Sequence, residues 1–373
     1  METTTQPAPR KEPFLRNYWY VAALANEVRP DAIFSRTLLN EPVIFYRRAD
    51  GSVAALEDRC CHKHYPLHGG ELEGESIRCG YHGMKFGPDG VCVEVPGQTT
   101  IPRNCRVRSY PVVERNTWIW IWMGDPALAD PSEITDFGWL DSSTWAGRST
   151  VFHVKASYRL IIENLLDLTH LSFVHKSTIG NAAVTDKADV QVERGDNEVK
   201  ITRWIMDAPP PPAYAACGGF TGNIDRWQII HYAPPAFCRL YTGACAAGTG
   251  ARAGNRQQEM GWRNLNAITP ETETTSHYFW GQVHNHDIDD PGMTERVFNG
   301  VHIAFQEDHK VFEELQRNLD RGARDIPEIN TRADAGALAA IRILNRLLSE
   351  QDAGHAAMVR PSDYRYAPLT DPA

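Results

Sequence analysis

The sequence has no long apolar segment. No window of the 373 residues holds the roughly 20 consecutive apolar residues that a transmembrane helix needs. Residues 1–13 are polar, contain three prolines and lack the apolar core of a secretory signal, so we expect a disordered N-terminal lead over residues 1–15. These absences predict a cytoplasmic protein that does not enter the membrane.

The chain also lacks an excess of positive charge. Its formal net charge is −9, which argues against binding to nucleic acid or to an anionic membrane. A glycine-rich dinucleotide-binding turn between a strand and a helix is missing as well, so the sequence offers no evident NAD(P)H site of its own.

The eight cysteines are not spaced like a disulfide framework, which fits a reducing cytoplasm. Small thiols of this kind are often buried in apolar cores. We expect this of five of them: Cys92, Cys105, Cys217, Cys238 and Cys245.

Two other cysteines and two histidines form a metal-binding pattern. Cys60 and His62 are separated by one residue, and Cys79 and His82 by two. Sixteen residues lie between the two pairs. One cysteine and one histidine in each loop is the ligand pattern of a Rieske [2Fe–2S] cluster. A single structural zinc ion is the alternative, but zinc sites usually pair cysteine with cysteine and histidine with histidine. The spacing therefore favours a redox cluster.

Short strands and turns dominate the first third of the chain. Strand pairs flank the turns around Gly51 and Gly90, and the alternating segment Trp118–Trp122 predicts a buried strand. Prolines and aspartates within 125–132 mark a boundary. We therefore predict an all-β domain over residues 16–128, with the cysteine–histidine loops at its tip.

The second domain, residues 129–373, combines strands with helices, so that the fold class is α+β. The prolines of 209–212 predict a loop. Apolar spacing predicts helices over 161–174, 301–319 and 335–348, and strands over 198–205, 226–232 and 277–283.

Polar residues interrupt the predicted helix over 161–174. Asn164, Asp167 and His170 are three residues apart and should lie near one helical face. His175 follows, and the two histidines can share a metal ion if the helix loosens after His170. A carboxylate from elsewhere would complete the two-histidine, one-carboxylate set of non-haem Fe(II) oxygenases. Taken alone, this segment fits a pair of hydrogen-bonded core histidines equally well or better.

The two motifs together resemble one family. The chain is similar to the oxygenase (α) subunits of Rieske non-haem iron oxygenases, in the branch that includes vanillate and dicamba O-demethylases. This resemblance implies an N-terminal all-β Rieske domain and a C-terminal α+β catalytic domain, an antiparallel sheet with helices of the helix-grip type. The segments that carry it are 17–22, 56–60, 79–83, 95–98, 120–126, 164–175, 269–274 and 334–336.

The resemblance also implies roles for individual residues. The four residues of the first motif match the cluster ligands, and His170 and His175 match the histidines of the mononuclear iron. The third iron ligand of the family is an aspartate on a late helix, which is best matched by Asp308, with the adjacent Glu307 as the fallback.

Two further positions match the family's polar residues near the iron. Asp167 matches a carboxylate that bridges a cluster histidine of one subunit and an iron histidine of its neighbour, and Asn164 matches a supporting group. Three positions depart from the pattern: Cys61, Lys63 and Met84 stand where relatives commonly have other residues. None of them removes a ligand.

By the same resemblance the protein is a terminal oxygenase. Electrons from NAD(P)H would pass through a reductase, often with a ferredoxin, to the cluster and then to the iron, across a subunit boundary of a homotrimer. The iron, O₂ and a small aromatic substrate would then react. We expect hydroxylation of an O- or N-alkyl group and oxidative dealkylation. A cis-diol-forming ring dioxygenase, a Rieske ferredoxin and a zinc-stabilised protein without activity are the alternatives.

Residues 204–280 are expected to line much of an apolar substrate pocket. Arg239 and Arg252 are considered for binding a substrate carboxylate, with surface positions as the alternative. The segment is rich in aromatic side chains, most of which we expect in the core: Tyr214, Phe220, Trp227, Tyr232, Phe237, Tyr241 and Phe279.

Overall fold

The computed structural model describes residues 13–256 and 260–354. Most of the expected N-terminal lead, residues 1–12, lies outside the described residues. Its last two residues, Phe14 and Leu15, are apolar and buried in the core.

Eleven short strands in three antiparallel sheets build the N-terminal region. They are β1 (Trp19–Leu24), β2 (Phe34–Leu38), β3 (Glu41–Arg47), β4 (Val53–Glu57), β5 (Glu71–Glu73), β6 (Ser76–Arg78), β7 (Lys85–Phe86), β8 (Cys92–Glu94), β9 (Ser109–Tyr110), β10 (Val112–Arg115) and β11 (Trp118–Trp122). The predicted hairpins are confirmed as the pairs β3–β4 and β7–β8. All five residues of β11 are buried, because this strand lies between β1 and β10 and is covered on both faces.

A seven-stranded antiparallel sheet forms the centre of the C-terminal region, in the order β12–β18–β17–β16–β15–β14–β13. The strands are β12 (Ala146–Val154), β13 (Asp189–Arg194), β14 (Val199–Ala208), β15 (Ile224–Ala233), β16 (Phe237–Ala246), β17 (Met260–Thr272) and β18 (Thr275–His284). This arrangement confirms the three predicted strands and the α+β fold class.

Five helices accompany this sheet in the described part of the chain: α1 (Tyr158–Leu166), α2 (Ala183–Asp186), α3 (Pro212–Gly218), α4 (Pro291–Asp320) and α5 (Ala335–Asp352). The Asp290 carboxylate caps α4 by accepting the Gly292 N–H at 2.8 Å. Phe305 and Phe312 are buried where α4 packs against β12 and β18. Asp308, one turn from each phenylalanine, is therefore placed on the buried face. None of the described helices has the length and apolar content needed to cross a membrane.

The prediction of a loop over residues 209–212 is wrong at the last residue, because Pro212 is the first residue of α3. Proline suits this position because the first N–H groups of a helix have no intrahelical partner.

The predicted helix over 161–174 is wrong in its second half. α1 ends at Leu166, Asp167 is extended (φ −118°, ψ 102°), and a 3₁₀ turn spans Leu168–Ser172. The Asp167 carboxylate accepts the Thr169 N–H at 2.9 Å, and this local hydrogen bond competes with continuation of the helix. The polar residues of this segment therefore do not share one helical face, and the chain changes direction earlier than expected.

The two regions are joined by hydrogen bonds between their sheets. The Thr269 hydroxyl donates to the Val21 carbonyl at 2.6 Å, and His277 Nε2 donates to the Thr37 carbonyl at 3.0 Å. One apolar core runs through both regions. The N-terminal region is therefore held in a fixed place against the large sheet.

Candidate metal centres and catalytic cavity

Three side chains from separate elements converge beside α4. His170 comes from the 3₁₀ turn, His175 from the loop after it, and Asp308 from α4 itself. His170 Nε2 lies 3.5 Å and His175 Nε2 lies 3.0 Å from Asp308 Oδ1. The three ligand atoms lie within 4.8 Å of one another, and no other group of three His, Cys, Asp or Glu side chains in the described chain comes this close. This is the donor set that non-haem Fe(II) prefers.

The Nδ1 atom of each imidazole has a polar partner on the side away from Asp308. His170 Nδ1 donates to the Asp167 carbonyl at 2.7 Å, and His175 Nδ1 lies 2.7 Å from Glu307 Oε2. The Thr178 hydroxyl also donates to Glu307 Oε2, at 3.1 Å. Both imidazoles are thereby fixed with Nε2 towards Asp308. Glu307, the alternative iron ligand, lies on the far side of His175.

The electrostatics of the group suit a cation. Burial lowers the pKa of His170. Burial also acts to lower the pKa of His175, but the neighbouring carboxylates of Asp308 and Glu307 outweigh it and raise that pKa. His175 Nε2 is buried and has no hydrogen-bond partner, although Asp308 Oδ1 is only 3.0 Å away. A metal ion between these atoms would satisfy this nitrogen.

Asn164 and Asp167 both lie at this group. Asn164 Nδ2 donates to Asp308 Oδ1 at 3.3 Å, so that it supports the carboxylate. Asp167 contacts His170 through its backbone carbonyl, while its carboxylate accepts the Thr169 N–H and hydroxyl at 2.9 and 2.8 Å. Within one chain, the described contacts of the Asp167 carboxylate include no imidazole.

The four residues of the first motif meet at the tip of the N-terminal region. Cys60 and Cys79 are buried, whereas His62 and His82 are exposed, with ring centroids 4.7 Å apart. Burial raises the pKa of the Cys60 thiol to about 11, so a thiolate here needs the positive charge of a metal. One cysteine and one histidine from each loop is the ligand pattern of a two-iron cluster, whereas zinc sites usually pair like with like.

The two loops touch so closely that only glycine fits between them. A Cβ on Gly80 would lie 2.3 Å from the Gly69 carbonyl oxygen, and Gly83 has a φ of +74°. His68, one of the other histidines of the motif segment, has its ring and its N–H bonded to the Asp58 carboxylate. It has a structural contact and is not needed as a ligand.

Cys61 does not join the cluster ligands. Its Sγ lies 3.7 Å from Sγ of the buried Cys105, and it packs against the small apolar core under the loops. The predicted buried thiols are confirmed: Cys92, Cys105, Cys217, Cys238 and Cys245 are all buried, and none of them forms a disulfide.

A cavity that is partly open to solvent adjoins the His170–His175–Asp308 group. Its walls come from α1 and the turn after it, from α3 and α4, and from strands β15 to β18. The lining is largely apolar, with Leu168, Leu171 and Phe305 among its residues. Such a cavity fits a small aromatic molecule.

The sequence interpretation missed the arginine of this cavity. Arg226 on β15 lines it and is buried. Arg252 instead pairs with Asp189 at the surface, and Arg239 is next to the lining residue Leu240 on β16, so that it faces the other side of the sheet. Strand alternation predicts that Arg226 and Ile230 lie on the same face of the sheet. It does not predict which face of the sheet borders the cavity.

The aromatic side chains of 204–280 are mostly core, as expected. Tyr214 lines the cavity, whereas Trp227 and Tyr241 belong to one buried apolar cluster and Phe237 and Phe279 to another.

A cluster-binding domain joined to a catalytic domain with a two-histidine, one-carboxylate group defines a Rieske non-haem iron oxygenase. Comparisons with known proteins agree with this class. Residues 18–111 match the Rieske [2Fe-2S] domain, and residues 154–350 match the vanillate O-demethylase oxygenase C-terminal domain. The chain belongs to the Rieske non-haem iron oxygenase family, in the branch with this C-terminal domain, and uses a [2Fe–2S] cluster and a mononuclear iron.

Relatives match over almost their whole length. The iron-sulfur subunit of a toluene-4-sulfonate monooxygenase system from Comamonas testosteroni is 46% identical, over 92% of this chain and 99% of the relative. A vanillate O-demethylase oxygenase subunit from Pseudomonas sp. is 36% identical, over 94% and 99%. The crystal structure of dicamba monooxygenase bound to dicamba superposes with a TM-score of 0.84 at 34% identity, over 91% and 99%.

Proposed function

We propose that this oxygenase hydroxylates an alkyl group of a small aromatic substrate. The observation that carries the proposal is the His170–His175–Asp308 group at one end of a largely apolar cavity. Bound there, Fe(II) supplies reductive activation of O₂ with electrons from the cluster. The protein's own part is to aim two Nε2 atoms at one point, to hold the carboxylate beside them, and to seat the substrate away from bulk water.

Oxidative dealkylation is the favoured outcome. A hydroxylated alkyl group on oxygen or nitrogen is a hemiacetal or hemiaminal, which releases an aldehyde and leaves the dealkylated aromatic compound. Relatives named as vanillate and dicamba O-demethylases, and a chloroacetanilide N-alkylformylase that is 33% identical, support this reaction.

Hydroxylation of a methyl group on a ring carbon is a second candidate. The 46% identical relative belongs to a toluene-4-sulfonate monooxygenase system, and the methyl group of that compound is bonded to carbon. The product would be a stable benzylic alcohol.

The residue roles and domain extents are part of the proposal. The proposed cluster ligands are Cys60, His62, Cys79 and His82, and the iron ligands are His170, His175 and Asp308. The matched segments support a Rieske domain over 16–128 and a catalytic domain over 129–373.

We further propose that the chain works as a homotrimer in the cytoplasm, with a reductase, and often a ferredoxin, as electron donor. Two exposed aromatic side chains support contact between copies: Tyr81 beside His82 is 59% exposed, and Phe173 between the iron histidines is 73% exposed. Aromatic side chains are enriched in protein–protein interfaces. In the trimer, the Asp167 carboxylate would meet a cluster histidine of the neighbouring chain.

The test uses holoenzyme with a surrogate reductase, NADH and O₂. 4-Methoxybenzenesulfonate should give formaldehyde and a phenol in equal amounts, and toluene-4-sulfonate should give the benzylic alcohol if the second reaction also occurs. A cis-diol would move the assignment to ring dioxygenation. Absence of any product from a panel of aryl ethers, anilides and methylarenes, with both metals loaded, would contradict the proposal.

A further inference from the structure

The catalytic cavity contains a buried cation. Arg226 is 3% exposed, and its Nε and Nη1 atoms have no hydrogen-bond partner. No carboxylate in the described part of the chain forms an ion pair with it. The partner that the structure gives is an aromatic ring, since its guanidinium carbon lies 4.3 Å from the ring centroid of Tyr214.

This arrangement leaves the charge only partly compensated. The attraction of a desolvated cation to an aromatic ring is weaker than the cost of burying an unpaired charge. An arginine side chain does not escape this cost by losing its proton. The guanidinium therefore offers its free N–H groups to an anion that enters the cavity.

Neighbouring polar groups lie on the same side of the sheet. Three of them are cross-strand neighbours on β15, β16 and β17: Gln228, Thr242 and Trp262. Gln228 is two residues from Arg226 on β15 and therefore faces the same side. Trp262 Nε1 is buried without a hydrogen-bond partner and is a donor. The Tyr214 hydroxyl is bonded to the Thr242 hydroxyl, which fixes the ring under the guanidinium. The region around Arg226 thus supplies several donors to one ligand group.

The metal-binding end of the cavity lies elsewhere on the sheet. Phe305, one turn before Asp308 on α4, stacks on Tyr278 with ring centroids 5.5 Å apart. The Tyr278 hydroxyl donates to Asn266 Oδ1 at 2.7 Å. Asn266 lies at the same position along the sheet as Tyr232 of β15. Tyr232 is six residues from Arg226 on that strand. Arg226 and the His170–His175–Asp308 group line the same cavity and lie at separate positions along it.

We infer that Arg226 binds an anionic substituent of the aromatic substrate, a sulfonate or a carboxylate, and so directs the opposite end of the ring to the iron. The inference rests on the proposed function and names its substrate class. The oxygenase reaction does not depend on it, because an enzyme for neutral aromatic compounds would have the same metal centres.

The test measures binding by calorimetry to the holoenzyme without reductant. The probes are two anions, toluene-4-sulfonate and 4-methylbenzoate, and their neutral isosteres, toluene-4-sulfonamide and 4-methylbenzamide. The unaltered protein should bind at least one anion more tightly than its isostere. Arg226→Gln should weaken binding of that anion about 10- to 100-fold, as expected for charge-assisted hydrogen bonds, and change binding of the isostere less than about 3-fold.

Two further variants complete the experiment. Arg252→Gln, at an exposed arginine of the same domain, is the matched control and should bind all four probes like the unaltered protein. Arg226→Lys keeps the charge without the planar fork and should retain part of the affinity. The cluster spectrum and iron content verify folding of each variant.

Three results would overturn the inference: equal loss of the anion and its isostere in Arg226→Gln, unchanged anion binding in that variant, or no binding of either anion by the unaltered protein. The preferred anion distinguishes the two ligand classes. A planar carboxylate and a tetrahedral sulfonate fit the guanidinium differently. Substrate-dependent product formation, measured separately, reports on the proposed function.

Discussion

Glu307 and Asp308 are adjacent carboxylates on α4, and we predict that removing each weakens iron binding to a very different extent. Asp308 Oδ1 lies 3.0 Å from Nε2 of His175, whereas Glu307 Oε2 lies 2.7 Å from its Nδ1. Asp308→Ala removes one of the three proposed ligands and should leave the protein without most of its mononuclear iron. Glu307→Gln keeps all three ligands but weakens the charge-assisted bond that orients the imidazole and increases its basicity.

The size of the Glu307 effect follows from its position behind the ligand. Loss of such a partner typically weakens metal binding about 10- to 100-fold, which corresponds to about 1.4–2.7 kcal/mol. The Thr178 hydroxyl, 3.1 Å from Glu307 Oε2, can still donate to the glutamine oxygen and should keep the side chain in place. We therefore expect the lower half of this range.

The assay is anaerobic titration of iron-depleted protein with Fe(II) against a competing chelator, with the cluster absorbance as the measure of folded protein. Glu314→Gln, at an exposed glutamate of α4 that pairs with Arg317, is the matched control and should bind iron normally. If Glu307→Gln loses all iron while Asp308→Ala retains it, the two roles must be exchanged. An unchanged Kd in Glu307→Gln would refute the orienting role.

Four further predictions concern other parts of the molecule. Asp167→Asn should keep both metals yet lose most turnover, and full activity would refute the bridging role. Phe173→Asp should shift the protein towards monomers in sedimentation, which an unchanged mass would contradict. Cys61→Ser should keep the visible spectrum of the cluster, because this thiol contacts a second thiol and not the ligands. Burial lowers the pKa of His277 to about 4, below its unfolded value near 6.5. The unfolded chain therefore binds the proton first, and stability should fall by about 2 kcal/mol between pH 6.5 and pH 5. Denaturant unfolding of His277→Gln should show less of this loss, since glutamine can still donate to the Thr37 carbonyl.

The change of direction at Asp167 shows where helical periodicity fails. Apolar spacing is the same for a continuous helix and for a helix followed by a 3₁₀ turn. The break depends on the Asp167 carboxylate bonding to the Thr169 N–H, a choice between two local hydrogen-bond patterns. Either path keeps His170 and His175 close together, and in the structure both lie beside Asp308.

The sequence by itself determined the chemistry that depends on short segments. The cluster motif lies in two loops whose ligand types and spacing are local, and the strands and long helices follow from periodic burial. Only the tertiary structure decided which carboxylate faces the two histidines and which arginine faces the cavity. Adjacent residues of a helix, such as Glu307 and Asp308, point about 100° apart, and alternate residues of a strand point to opposite faces. The elements packed around a side chain decide which of these directions is buried. Around Asp308 and Arg226, those elements are α4 and the large sheet.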